Sequence, residues 1–194
     1  APPNGRDYRS FMKGAEWKDE RDVVRTLLKL GHKVQTFGIH DDVAPLVEYI
    51  QRERPDVVFN LCESFNTDRK HEPNLTGLLE LLQVPYTGAP PESLSLCKDK
   101  GLTKKLLTFH DVRVPRFVVS FKSRPARKIP ADFAFPAIVK PLALESSEGI
   151  ARASIVHDAD ECFDRLRFLH DSLACDAIAE EFIDGRELYV GVLG

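Results

Sequence analysis

Apolar positions along the first half of the chain follow two alternating periods. Val23, Val24, Leu27, Leu28 and Leu30 fall on one helical stripe, closed by Gly31 as a C-terminal cap. Residues 33–39 place Val34 and Phe37 in a short extended stretch, and Asp42 with Pro45 precede a second stripe of Leu46, Val47 and Ile50. Pro55 stops that helix. Asp56 to Leu61, with Val57, Val58 and Phe59 in succession, predicts a strand buried on both faces, the kind that parallel sheets use. Leu75, Leu78, Leu79 and Leu82 predict another helix, residues 84–88 a short strand, and residues 98–110 a further helix. Helix and strand in alternation mark an α/β unit over residues 1–111. Open parallel sheets ordinarily begin with a strand, and residues 1–20 offer none, so a first strand is expected to be missing upstream.

From Val112 the texture changes to strands with short connections. Residues 116–121, 135–142, 151–156, 176–183 and 186–194 read as extended, with one helix over 160–170. That is an α+β module over 112–194. Lys122 to Pro130, rich in Arg, Lys and Pro, reads as a hairpin loop or a short disordered tip.

Composition narrows the function classes. The 194 residues are 43% hydrophobic and 29% charged, with 27 Lys plus Arg against 30 Asp plus Glu and a net charge of -3, so the chain is an ordinary globular one. It lacks the single-sign positive field that phosphate-backbone binding needs, which argues against nucleic acid as a principal partner. No apolar run approaches the roughly 20 residues that span a bilayer, so no membrane segment is expected. Cys62, Cys97, Cys162 and Cys175 show no short paired spacing of the zinc or redox kind and read as reduced thiols of a cytoplasmic protein. The chain opens on Ala1 with no signal-like leader, and position 1 need not be the native start.

Four stretches could carry chemistry. Asn60, Cys62, Glu63 and Ser64 end a predicted sheet strand, where open α/β sheets bind ligands. Lys140 ends the apolar run Phe135 to Val139 and precedes the polar segment from Glu145 to Gly149. Such a lysine can hold phosphate oxygens by charge while hydroxyls and backbone N–H groups wrap them. Around Asp184-Gly185, strand character is interrupted and resumes at Leu188. Glu180, Phe182 and Asp184 would then point one way and Glu181 and Ile183 the other. A basic run from Lys98 to Lys105 enters a helix. Read singly, the first is as much a solvated loop as a site, and the other three read first as a solvated face, a hairpin with charged edges and an exposed helix face.

Taken in order, VVFNL at 57–61, GLLELLQVPYTG at 77–88, CKDKGLTKKLL at 97–107, FPAIVKP at 135–141, ESSEGI at 145–150 and AIAEEFIDGRELYVGVLG at 177–194 resemble the ATP-grasp superfamily, and within it the D-alanine–D-alanine ligase-like proteins. The resemblance implies a Rossmann-like pre-ATP-grasp domain followed by an α+β ATP-grasp lobe, truncated. It implies an ATP-dependent carbon–nitrogen ligase that activates a carboxylate as an acyl phosphate, using ATP and Mg²⁺, and lets an amine displace the phosphate. Lys100 and Lys140 would reach the nucleotide phosphates, with Lys140 also near the adenine, and Ser146 and Ser147 would lie in the loop closing over them. Glu180 would accept the adenine amino group, Phe182 and Ile183 would present hinge backbone and an apolar wall, and Glu187 would bind the ribose hydroxyls. Partners would be small carboxylate and amine substrates, with a homodimer left open.

Several positions depart from the D-alanine ligases. Residues 1–20 hold no counterpart of their first Ser/Glu motif, and Cys62-Glu63-Ser64-Phe65 stands where they carry a His-Gly loop. Glu145 and Glu148 add negative charge to the phosphate loop. The substrate is therefore not named by the resemblance. Metal-binding carboxylates are expected beyond Gly194, so the 194 residues alone are expected to be inactive. A nucleotide-binding regulatory module of the same fold is the alternative, and a plain Rossmann-like binding domain a third reading.

Overall fold

The computed structural model describes residues 4–6, 12–143 and 151–191. The chain divides into two compact units, Ala1–Ser95 and Leu96–Gly194.

In the first unit, β1 (Gly5–Arg6) pairs antiparallel with β2 (Phe37–Gly38). A strand thus exists within residues 1–20, where the apolar pattern offers none. It is held by backbone pairing and by Asn4, whose Nδ2 donates to Asp41 Oδ1 at 2.7 Å, so hydropathy carries no trace of it. Helix α1 (Lys18–Lys29) has Asp19 and Glu20 in its first turn and Lys29 in its last, the arrangement the helix dipole favours. Helix α2 (Ala44–Glu53) starts where Asp42 Oδ1 accepts from the Ala44 N–H at 2.9 Å and ends at Arg54 in the left-handed region. Helix α3 (Glu72–Leu81) follows. Ile50, Leu79 and Val84 form the small core of this unit, with Leu46, Tyr49, Val58, Leu82 and Tyr86 around it.

The expected strands at 56–61 and 84–88 shrink to one parallel bridge, Val58 to Tyr86. Val58 donates to the Pro85 carbonyl at 2.8 Å and accepts from the Thr87 N–H at 3.0 Å. The direction is the expected one, but burial on both faces is not: Val57, Phe59 and Leu61 are 54%, 45% and 44% exposed. Only Val58 of that run reaches the Ile50–Leu79–Val84 cluster.

Helix α4 (Pro91–Lys98) runs across the division between the units, and α5 (Lys100–Phe109) begins after Asp99. The Asp99 carboxylate caps α5 by accepting from the Leu102 N–H at 2.9 Å, which splits the single helix expected over 98–110. The second unit is built on β3 (Phe117–Ser120), β4 (Ala137–Pro141), β5 (Ile155–Val156) and β6 (Ala177–Glu181), in the spatial order β3-β6-β4-β5 with every pair antiparallel. Helix α6 (Ala159–Ser172), capped by the Asp158 side chain on the Glu161 N–H, covers one face. Its Cys162, Leu166 and Leu169 pack on Ala137, Val139, Ala177 and Ala179. Ser120 and His170 join that layer polar to polar, Oγ to Nε2 at 2.8 Å, and His170 Nδ1 donates to the Cys175 carbonyl at 2.9 Å. Strand alternation sends Ile138, Lys140, Ile178 and Glu180 to the opposite face.

Two extended stretches differ from expectation. Residues 152–154 form a 3-10 turn before β5, and residues 182–191 are in no strand. No ladder partner stands beside 186–191 among the described residues, and Leu188, Tyr189 and Val190 are 80%, 92% and 81% exposed.

All four cysteines are free, as their spacing suggests, with Cys97 exposed and Cys162 buried. Burial pushes the Cys162 thiol from the ordinary 9.0 up to about 11. A thiol reagent at pH 8 is expected to label Cys97 at once and Cys162 only on unfolding. The folded thiol keeps its proton where the unfolded one loses it, so this contribution to stability is present below pH 9 and lost as pH rises toward about 11. Labelling of Cys162 as fast as Cys97 would contradict that burial.

Candidate functional site

The face of the second unit's sheet turned away from α6 carries the densest buried charge among the described residues. In the β4–β6 ladder Ile138 stands opposite Glu180 and Lys140 opposite Ile178, so Lys140 and Glu180 are diagonal neighbours on one face. Lys140 Nζ lies 3.0 Å from Glu180 Oε1. A second ammonium comes from α5: Lys104 Nζ lies 3.1 Å from Glu180 Oε2. The Glu180 side chain is 6% exposed, Lys104 14% and Lys140 21%.

Gly101 lets the helix approach this closely. A Cβ there would stand 2.7 Å from Val119 Cγ2 of β3 and 3.4 Å from Leu142 Cδ1. Contacts that short force a neighbour to move, so the bare Cα sets how near α5 lies to the sheet. Lys104 follows Gly101 by three residues, on the same side of the helix. At the helix N-terminus, the Lys100 backbone N–H and Nζ both point to the Leu142 carbonyl, at 3.4 and 3.2 Å, just past the end of β4.

A buried carboxylate needs a counter-charge, and here it has two. The cluster of Lys104, Lys140 and Glu180 carries one surplus positive charge, and so attracts an anion at its more exposed rim. Glu180 Oε1 is buried and, despite the Lys140 ammonium nearby, has no aligned hydrogen bond. An N–H donor entering from the rim would find an acceptor there. These are the complementary demands of a nucleotide, which brings anionic phosphates and, in adenine, an amino group. Among the described residues no group of three His, Cys, Asp or Glu side chains could hold a metal ion.

No protein-family profile matches the chain. Curated relatives do. It is 42% identical over 174 residues to the D-alanine–D-alanine ligase of Syntrophotalea carbinolica, covering 88% of this chain and 52% of that protein. Over 120 residues it is 38% identical to the D-alanine–D-alanine ligase of Cupriavidus pinatubonensis, covering 62% of this chain and 36% of that one. Its fold matches that of the Bacillus anthracis D-alanine–D-alanine ligase solved with ATP, at TM-score 0.55 and 24% identity, over 74% of this chain and 44% of the other. The chain is a D-alanine–D-alanine ligase-like protein of the ATP-grasp superfamily. It spans about half, or less, of the length of these curated relatives.

Of the residues singled out in this ATP-grasp chain, Lys140 and Glu180 come together directly, and Lys100 sits at the end of the same strand pair. Phe182 and Ile183 follow β6 as partly and largely exposed side chains, 40% and 66%, and the Phe182 N–H donates to the Pro136 carbonyl at 2.9 Å. Glu187 lies in the exposed stretch beyond, its Oε2 accepting from the Tyr189 hydroxyl at 3.4 Å. Ser146 and Ser147, with Glu145 and Glu148, lie outside the described residues. Lys104 lies outside the residues to which the resemblance points. Its signal in the sequence is the spacing of Gly101 and Lys104 within one helical turn, which presents a helix-to-sheet contact and a cation on one face.

Proposed function

We propose that this chain forms the nucleotide-holding part of an ATP-dependent carbon–nitrogen ligase that joins a carboxylate to an amine. The observation that carries this reading is Glu180, buried between Lys104 and Lys140 with one oxygen left for a hydrogen-bond donor. Relatives named as D-alanine–D-alanine ligases support the reaction class. Glu180 would take the adenine amino group, with Phe182 and Ile183 beside the base and Glu187 toward the ribose. Lys100, Lys140, Ser146 and Ser147 would hold the phosphates. ATP supplies the phosphoryl group: a carboxylate oxygen of the substrate takes it as ADP leaves, and the amine nitrogen then displaces phosphate from the acyl carbon. The lysines' part is to hold and neutralise phosphate oxygens so that two anions can meet. Mg²⁺ belongs to this reading as the ion that accompanies ATP, and no described residue is assigned to it. The same reading puts the protein in the cytoplasm, where four free thiols persist.

In the intact protein, Lys140→Ala is expected to weaken ATP binding at least about tenfold, the order of one lost charge-assisted contact, measured by titration calorimetry. Unchanged affinity would remove the assignment. Phosphate release that depends on an added amine, screened over amino acids, separates ligation from nucleotide binding alone. ATP binding without any such release would favour the regulatory module.

A further inference from the structure

We infer that Lys104 is a positioning residue: it holds the Glu180 carboxylate in place so that Lys140 can exchange its contact with Glu180 for one with the nucleotide phosphates. This rests on the nucleotide-site reading above and goes beyond it in assigning different work to the two lysines.

The two ammonium groups are not equivalent. Lys104 reaches Oε2 from the helix side at 3.1 Å and is the more buried of the two, at 14% exposed. Lys140 reaches Oε1 from the neighbouring strand at 3.0 Å and is 21% exposed, yet that oxygen has no aligned hydrogen bond. Oε1 is therefore the atom at which an incoming amino group can bind, and Lys140 is the group it would displace. If Lys140 were the sole counter-charge, its departure would leave a buried carboxylate unpaired, which would oppose nucleotide entry. With Lys104 fixed on Oε2, the carboxylate stays paired throughout. The base and the phosphates then claim the two halves of one vacated contact, Oε1 and the Lys140 ammonium, in a single event.

The test measures binding of ATP and of inosine triphosphate, which has a carbonyl in place of the amino group, to the intact protein. Wild type, Lys104→Met, Lys104→Arg, Glu180→Gln and the Lys104→Met/Glu180→Gln double variant are compared by titration calorimetry. Wild type is expected to prefer ATP by more than about tenfold, because a site built around an acceptor rejects a ligand that lacks the donor. Lys104→Met should lose roughly tenfold in ATP affinity and most of that preference, Lys104→Arg should recover both, and in the Glu180→Gln background Lys104→Met should change little, since the lysine acts through the carboxylate. Should Lys104→Met not fold, Lys104→Gln and the arginine variant carry the same comparison. If wild type binds no ATP, the nucleotide-site reading falls and takes this one with it. If wild type binds ATP while Lys104→Met keeps both its affinity and its preference, or loses affinity for both nucleotides equally and additively with Glu180→Gln, only the role given to Lys104 is overturned.

Discussion

Glu180→Ala is expected to destabilise the second unit by about 3 kcal/mol, at the low end of what breaking a buried ion pair costs. Removing the carboxylate leaves Lys104 and Lys140 on one sheet face with no anion between them, where their ammonium groups had stood 3.1 and 3.0 Å from its oxygens. Both lysines retain some exposure and can carry their charges outward along flexible stems, which keeps the loss from growing larger. The midpoint of urea denaturation should fall while its slope stays constant. Adding Lys104→Met to Glu180→Ala should recover part of the loss, because one of the two unpaired cations is then gone. A change below about 1 kcal/mol would mean that the cluster behaves like surface ion pairs, which are worth little.

Leu169→Ala is expected to cost about 3 to 4 kcal/mol, within the range of large-to-small substitutions in a tight core. Leu169 has 0% exposure and packs, with Leu166 and Cys162, on Ala137, Val139, Ala177 and Ala179. Those sheet partners are mostly small and can fill little of the hole themselves. Thermal melting should drop by roughly 10 °C, using 2–4 °C per kcal/mol for a chain of this size. Leu173→Ala, at the end of the same helix and 42% exposed, is the control and should change stability by less than about 1 kcal/mol. Equal effects at the two positions would contradict the packing of α6 on the sheet.

Elements with a strong one-sided apolar pattern were legible in the sequence: α1, α2, α3 and α6 fall on their predicted stripes, and β3, β4 and β6 on their predicted runs. Strands that depend on a neighbour were not. Asp56 to Leu61 has the composition of a buried strand, but only Val58 finds a pairing partner, and the stretch after Arg186 finds none among the described residues. The site was legible in its residues and not in its pairing. Lys140 and Glu180 are 40 positions apart, and their meeting depends on the β4–β6 register, which no local pattern encodes. Lys104 sat in a basic run that reads as a solvated face, and only the packing of α5 turns it inward. That packing also places residues 100–109 in the second compact unit, although the change of texture in the sequence comes at 112.

The missing side chain at Gly101 acts as a gauge block of zero thickness between α5 and the sheet. With Val119 Cγ2 only 2.7 Å from where a Cβ would stand, any other residue forces that contact apart, and to the extent that the helix gives way Lys104 moves with it, one turn further on. Charge attraction weakens as its span grows, and water entering the gap weakens it further. A neutral, purely steric substitution at position 101 would thereby weaken the attraction between Lys104 and Glu180 without touching any ionisable group, so an ion pair of the site is gauged by a residue that carries no charge.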